Sequence, residues 1–243
     1  MKRVMLFLLA LGLLQAAVAQ NKPDNTPEDR QIKGLLILGM NLTQVDGDEV
    51  YGYYKAGLNA GVGALLPLGK GFGFNVETLF SQKGAYKKFN PAGIDNLGRP
   101  CYHVKLDYLE VPVLFSYEDK HIFTVGLGAS WGRRVHYREI EHGLVMDSAD
   151  RFSKNDWNVL VDVQLRVWKH LKFDVRYAYS MAKIRTRNYG PTPSGATWTR
   201  DQYNNILTFR AIYLLNEKYE PQPKKKKRQN KSQTSVSTAP WTL

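Results

Sequence analysis

Between Trp157 and Val167 the chain alternates with a period of two. Val159, Val161, Val163, Leu165 and Val167 are all apolar, and Asn158, Leu160, Asp162, Gln164 and Arg166 lie between them. Successive side chains of a β-strand point to opposite faces, so this pattern predicts a strand with one greasy and one mostly polar face. The β-branched content agrees. The same phase recurs over 36–42, 56–66, 72–80, 109–115, 123–131, 171–179 and 207–215. Eight strands are therefore predicted. The connections fall near 44–52, 67–71, 84–103, 116–121, 133–156, 168–170 and 181–203, alternately long and short.

The eight apolar sets hold 39 positions and no charged residue, where a chain that is 23% charged would place about nine. The opposite faces carry Lys55, Glu77, Lys83, Glu110, Asp162, Arg166, Lys172, Asp174, Arg176 and Arg210. A charge facing lipid at mid-membrane costs roughly 2–4 kcal/mol, so a charge-free outer face suits a barrel in a bilayer. Alternation alone does not say which face is inside, and a soluble eight-stranded barrel with the apolar face inward is the alternative. Long-then-short connections favour the membrane, where barrels have long outer loops and short periplasmic turns. Pro67–Gly71 and Glu118–Lys120 read as two of those turns. Tyr53, Tyr54, Trp131, Trp157, Tyr177 and Tyr179 gather toward one rim, and Phe72, Trp168 and Tyr213 toward the other, as two interfacial girdles would.

The remaining segments are set apart by composition. Lys2 and Arg3, an apolar stretch from Val4 to Leu14, and Ala17-Val18-Ala19 predict an export signal over residues 1–19, cleaved before Gln20. Residues 20–32 then form a periplasmic N-terminal segment and 33–215 the barrel. Residues 216–243 form a disordered polybasic tail, with both termini periplasmic. The formal charge of +12 falls to +10 without the signal, and Lys224, Lys225, Lys226, Lys227, Arg228 and Lys231 account for six of that. The basicity is thus mainly a property of the tail. Contact of Lys224–Arg228 with an anionic surface or acidic partner is one reading, and a solvated tail the other. Export argues against nucleic acid as a partner. A single cysteine, Cys101, excludes an internal disulfide. No apolar run after residue 19 approaches the ~20 residues of a spanning helix.

Signals for chemistry are weak. His136, Glu139, Glu141 and His142 fall in the predicted third long loop, but match no metal-binding spacing. Asp46-Gly47-Asp48-Glu49 lacks the twelve-residue calcium pattern and reads as a turn. No nucleophile-elbow motif is present. No cofactor or metal is expected. The inward charges Glu77, Glu110, Asp162, Arg166, Asp174, Arg176 and Arg210 read as a structural network plugging a narrow lumen, with an ion path as the alternative. Inward glycines such as Gly61, Gly126, Gly128 and Gly132 make room for larger neighbours. Pro112 removes a ladder donor and predicts a bulge or bend.

Four stretches resemble a known family. These are Lys55-Ala56-Gly57-Leu58-Asn59-Ala60-Gly61, Glu77-Thr78-Leu79-Phe80-Ser81-Gln82-Lys83-Gly84, Tyr108-Leu109-Glu110-Val111-Pro112-Val113-Leu114 and Gly126-Leu127-Gly128. In this order they are similar to the small outer-membrane β-barrels of Bacteroidota, and more narrowly to PorT-like members, over about residues 34–215. The resemblance implies an all-β, eight-stranded antiparallel up-and-down transmembrane barrel. It also implies a non-enzymatic accessory role in type IX protein secretion, with membrane lipid and secretion-machinery proteins as partners. A small porin or solute sensor, or an outer-membrane enzyme with a loop-borne site, are the alternatives.

Overall fold

The computed structural model describes residues 31–48, 51–87, 102–120, 122–141, 144–146, 152–189, 195 and 197–216. Every regular element among them is a strand: β1 (Lys33–Asp46), β2 (Lys55–Gly69), β3 (Phe72–Lys87), β4 (Tyr102–Asp119), β5 (Phe123–Glu141), β6 (Leu144–Met146), β7 (Asn155–Arg166), β8 (Leu171–Ser180), β9 (Arg185–Tyr189) and β10 (Trp198–Leu215). Eight of them pair in the antiparallel order β1-β2-β3-β4-β5-β7-β8-β10. The ring closes where β1 meets β10, from Gly34 opposite Leu215 to Asp46 opposite Tyr203. Closure leaves the ring no free edge, so its backbone polar groups are satisfied between strands. The short β6 and β9 lie outside the ring, on β5 and β10. No helix among the described residues is long and apolar enough to cross a membrane, which says nothing against crossing by strands.

Three tight connections define one end, hereafter the turn end. Gly69, Lys70 and Gly71 all take positive φ, as does Lys120. Trp168 N–H donates to the Leu171 carbonyl across the third turn. Both predicted turn segments are turns. Asp46 ends β1 and Gly47 turns with φ +88, while Glu49 lies outside the described residues.

The predicted apolar sets face outward. Leu38 and Leu127 are each 61% exposed, and Leu36, Val161 and Phe173 are similarly uncovered. At the turn end the Phe72 ring stacks on Phe115 and lies tilted against Tyr117, and Trp168 and Tyr213 are exposed at the same end. At the other rim Trp131 pairs across strands with Trp157, and Tyr53, Tyr54 and Tyr177 are exposed. Soluble packing is thereby excluded for this part of the chain, because its most apolar face is its outer surface.

The strands reach further than the sequence pattern does. Residues 84–87, 102–108, 132–141 and 198–206 were predicted as connections or lay beyond the predicted strands, yet they continue β3, β4, β5 and β10 away from the turn end. In this extension the polarity reverses. Val45, Ala85, Tyr102, Val104, Leu106, Phe152 and Ile184 pack together inside. The apolar phase thus swaps faces, and a test for one continuous greasy face stops there. On β5 the phase itself slips: Asp107 pairs with His136 and Tyr108 with Arg134, leaving Val135 as a bulge. Pro112 makes no such bulge. The β3–β4 pairing skips Glu77 and Thr78 opposite it and resumes in the same register.

Candidate functional site

The ring diameter fixes where the site lies. β3 and β8 stand four strands apart in an eight-strand ring, on opposite walls. Yet Arg176 of β8 donates from Nη1 and Nη2 to both oxygens of Glu77 on β3, each at 3.0 Å. A fork-to-fork pair therefore spans the full lumen. The same guanidinium donates to Asp162 of β7 at 2.6 and 2.7 Å. Arg210 of β10 donates to Glu77 at 2.9 Å, to Asp174 at 2.6 Å and to Asp162 at 3.3 Å. All five side chains are buried. Room for Arg210 comes from Gly39, its register partner on β1, where an added Cβ would sit 2.7 Å from Arg210 Cγ. Gly128 likewise admits Leu114, since a Cβ there would meet backbone at 2.1 Å.

A second cluster lies further from the turn end. Lys83 of β3 is paired with Glu110 of β4 and, at 2.9 Å, with Asp156 of β7. Asp156 also accepts from Ser180 at 2.6 Å and from Asn204 at 2.9 Å. A third lies at the turn end, where Glu118 is paired with Lys172 and stands 3.6 Å from Arg166. Beside it opens a cavity of about 360 Å³, lined among others by Lys33, Asn75, Thr124, Gln164 and Lys172. A fourth closes the opposite end: Arg185 donates to Glu139 at 2.9 Å and to Gln202 at 2.8 Å and lies over the Phe152 ring. Burial and the neighbouring Asp48 push the Tyr102 phenol in this cluster well above its ordinary value.

Of the seven predicted network residues, Glu77, Asp162, Asp174, Arg176 and Arg210 meet in the central knot. Glu110 belongs to the second cluster. Arg166 belongs to the third, on Glu118 and the Lys169 carbonyl. Lys55 is a correction: its Nζ stands 2.9 Å from His103 Nε2 and not on a lumen carboxylate. Lys224–Arg228 lie outside the described residues. Asp156 and Glu118 were missed although they carry a signal: each continues the inward phase of a recognised strand, Asp156 two residues before Asn158 and Glu118 two after Ser116. Glu139 and Arg185 carry none, because the Val135 bulge shifts the phase of one and β9 is too short to show a period. The predicted loop group of His136, Glu139 and Glu141 is in fact strand. Outward His136 and inward Glu139 are separated by the wall, and His142 lies outside the described residues. Among the described residues no three or more His, Cys, Asp or Glu side chains are grouped to hold a metal ion.

A family model described as outer membrane protein beta-barrel domain matches residues 18–185. No curated protein sequence matches the chain. Among solved structures, the attachment invasion locus protein Ail of Yersinia pestis is 14% identical, with 75% of this chain and 98% of that one covered and a TM-score of 0.45. A major outer membrane protein of Thermus thermophilus is 12% identical, covers 76% and 99%, and has a TM-score of 0.42. The outer membrane protein OprG of Pseudomonas aeruginosa is 11% identical, covers 75% and 95%, and has a TM-score of 0.36.

Proposed function

The chain belongs to the outer membrane protein β-barrel domain family, and from that premise we propose that it is a closed, non-enzymatic scaffold, a PorT-like accessory component of type IX protein secretion. The observation that supports the closed scaffold is the Glu77–Arg176 pair across the lumen, with Arg210, Asp162 and Asp174 tied to it; the secretion role rests on the resemblance of the four stretches above. Ions neutralised at mid-lumen leave nothing for a solute to exchange with, and freeing one removes a partner at several kcal/mol. A barrel of this kind works through what it touches. The long-loop end faces outward from the cell, both termini face the periplasm, and secretion proteins dock on these segments. Lys224–Arg228 offer a surface for anionic lipid or an acidic partner.

Deletion of the gene is expected to lower the activity of secreted proteins in the medium, with recovery from an intact copy; normal secretion after deletion removes the export role. Co-purification from detergent-solubilised membranes identifies the partners. Truncation of residues 221–243 tests the tail, and unchanged secretion and membrane retention end that idea. In planar bilayers the wild type is expected to show no steady conductance, whereas a stable channel would favour the porin reading. Orientation is read on intact cells after Cys101→Ser: an impermeant maleimide should label Lys183→Cys and spare Lys120→Cys.

A further inference from the structure

The outer surface is free of charge at mid-belt and becomes basic toward its upper edge. Twelve residues of β4 separate Tyr117 at the turn-end girdle from Lys105, about 30 Å of height at ~3.3 Å per residue and a ~40° tilt. The apolar band of such a barrel is ~25 Å tall, so Lys105 stands at the headgroup level. Directly opposite it across the ladder is Arg138 of β5. Like charges facing each other across a strand pair are destabilising. Lys55 comes to the same place, its Nζ on His103. Arg133 lies lower, opposite Leu109 on the ladder, and donates to Asn155 at 2.9 Å. One carboxylate, Asp107, stands among these cations, 3.7 Å from Lys105. Arg138 has no carboxylate partner among the described residues.

Three cations, Lys55, Lys105 and Arg138, gathered on one side at the headgroup level, with Leu109, Val111 and Val113 beneath them for acyl chains, match a lipid that carries more than one phosphate. We propose that Lys55, Lys105 and Arg138 form a site for the phosphorylated headgroup of an outer-leaflet lipid, with His103 holding Lys55 in place. The headgroup phosphates lie between Lys105 and Arg138 and relieve their repulsion, while the chains run down the β4–β5 face. This rests on the outer-membrane orientation proposed above.

The test uses the full mature protein in zwitterionic detergent, titrated with bisphosphorylated lipid A, so its outcome does not depend on orientation; the maleimide labelling reads that separately. Each surface cation is worth roughly a factor of five in binding to anionic lipid. The Lys55→Gln/Lys105→Gln/Arg138→Gln variant is expected to bind on the order of 100-fold more weakly. Lys183→Gln, a cation elsewhere at the same end, should stay within about twofold. Unchanged affinity in the triple variant overturns the site. So does equal affinity for inorganic phosphate, for an acyl-free sugar bisphosphate or for a sulfated oligosaccharide, since the site would then be a general polyanion patch. If the triple variant loses the heat-resistant mobility of a folded barrel, Lys105→Gln and Arg138→Gln are read singly. Each should weaken binding about fivefold, and no weakening in either also overturns the proposal.

Discussion

Strand β4 belongs to two different solvents. Below residue 108 in height, toward Asp119, its outward side chains are Leu109, Val111, Val113 and Phe115, while Glu110 faces in to meet Lys83. Above, its outward side chains are His103, Lys105 and Asp107, and inward Tyr102, Val104 and Leu106 join an apolar core. The strand's parity never changes; only the polarity of each face does. Lipid around the lower barrel makes apolar side chains the natural outer cover and leaves ions no place but the lumen. Water around the upper barrel restores the ordinary arrangement, in which burying apolar area stabilises and the charges that do enter, Arg185 and Glu139, are paired. The two halves are held together by different forces along one continuous ladder.

That contrast can be broken at either half. The largest effect is expected from Arg210→Met. It leaves Glu77, Asp162 and Asp174 sharing one guanidinium inside the lower barrel, at a cost of roughly 3–5 kcal/mol, read by urea unfolding in lipid vesicles. A stability unchanged within error would mean that the knot is not charged as described. The upper half should respond instead to lost volume. Leu106→Ala removes a buried side chain from the apolar core there, for about 2–5 kcal/mol, and the same assay should place it below or level with Arg210→Met.

A single outward charge sharpens the comparison further. Val161→Lys at mid-belt should cost about 2–4 kcal/mol, and Val135→Lys above the belt less than ~1 kcal/mol; equal costs would contradict the position of the water boundary. The smallest effect is a pH dependence. Burial, then Lys55, Arg138 and Lys105, hold the His103 imidazole below its ordinary value. Tyr86, whose ring meets the imidazole edge-on at 5.6 Å, is the other titratable group facing it. The unfolded chain therefore takes up a proton at about pH 6.5 that the folded protein refuses, so stability is retained above that pH and declines below it. His103→Gln should flatten the slope between pH 7 and pH 5. A slope that persists belongs to other groups.

Much of the lower barrel was legible along the chain. Alternation placed eight strands, and the absence of charge from one phase, together with long-then-short connections, favoured that phase as the face that meets lipid. Glu77, Asp162, Asp174, Arg176 and Arg210 were recognisable as one inward set. The upper barrel was not legible in this way, because the apolar residues 102, 104 and 106 occupy the phase that is polar below, and the run breaks off where the solvent changes. Val135 then displaces β5 by one residue, which hides Glu139 from any fixed phase.

What the sequence determined by itself is a choice of face: a two-residue period and a charge-free phase are local properties, and lipid or water acts on them position by position. What only the closed structure decided is who meets whom. Arg176 finds Glu77 across the diameter, ninety-nine residues away, and Lys105 finds Arg138 as its register partner. Those encounters depend on strand register and ring closure, which every strand sets jointly and no single segment encodes.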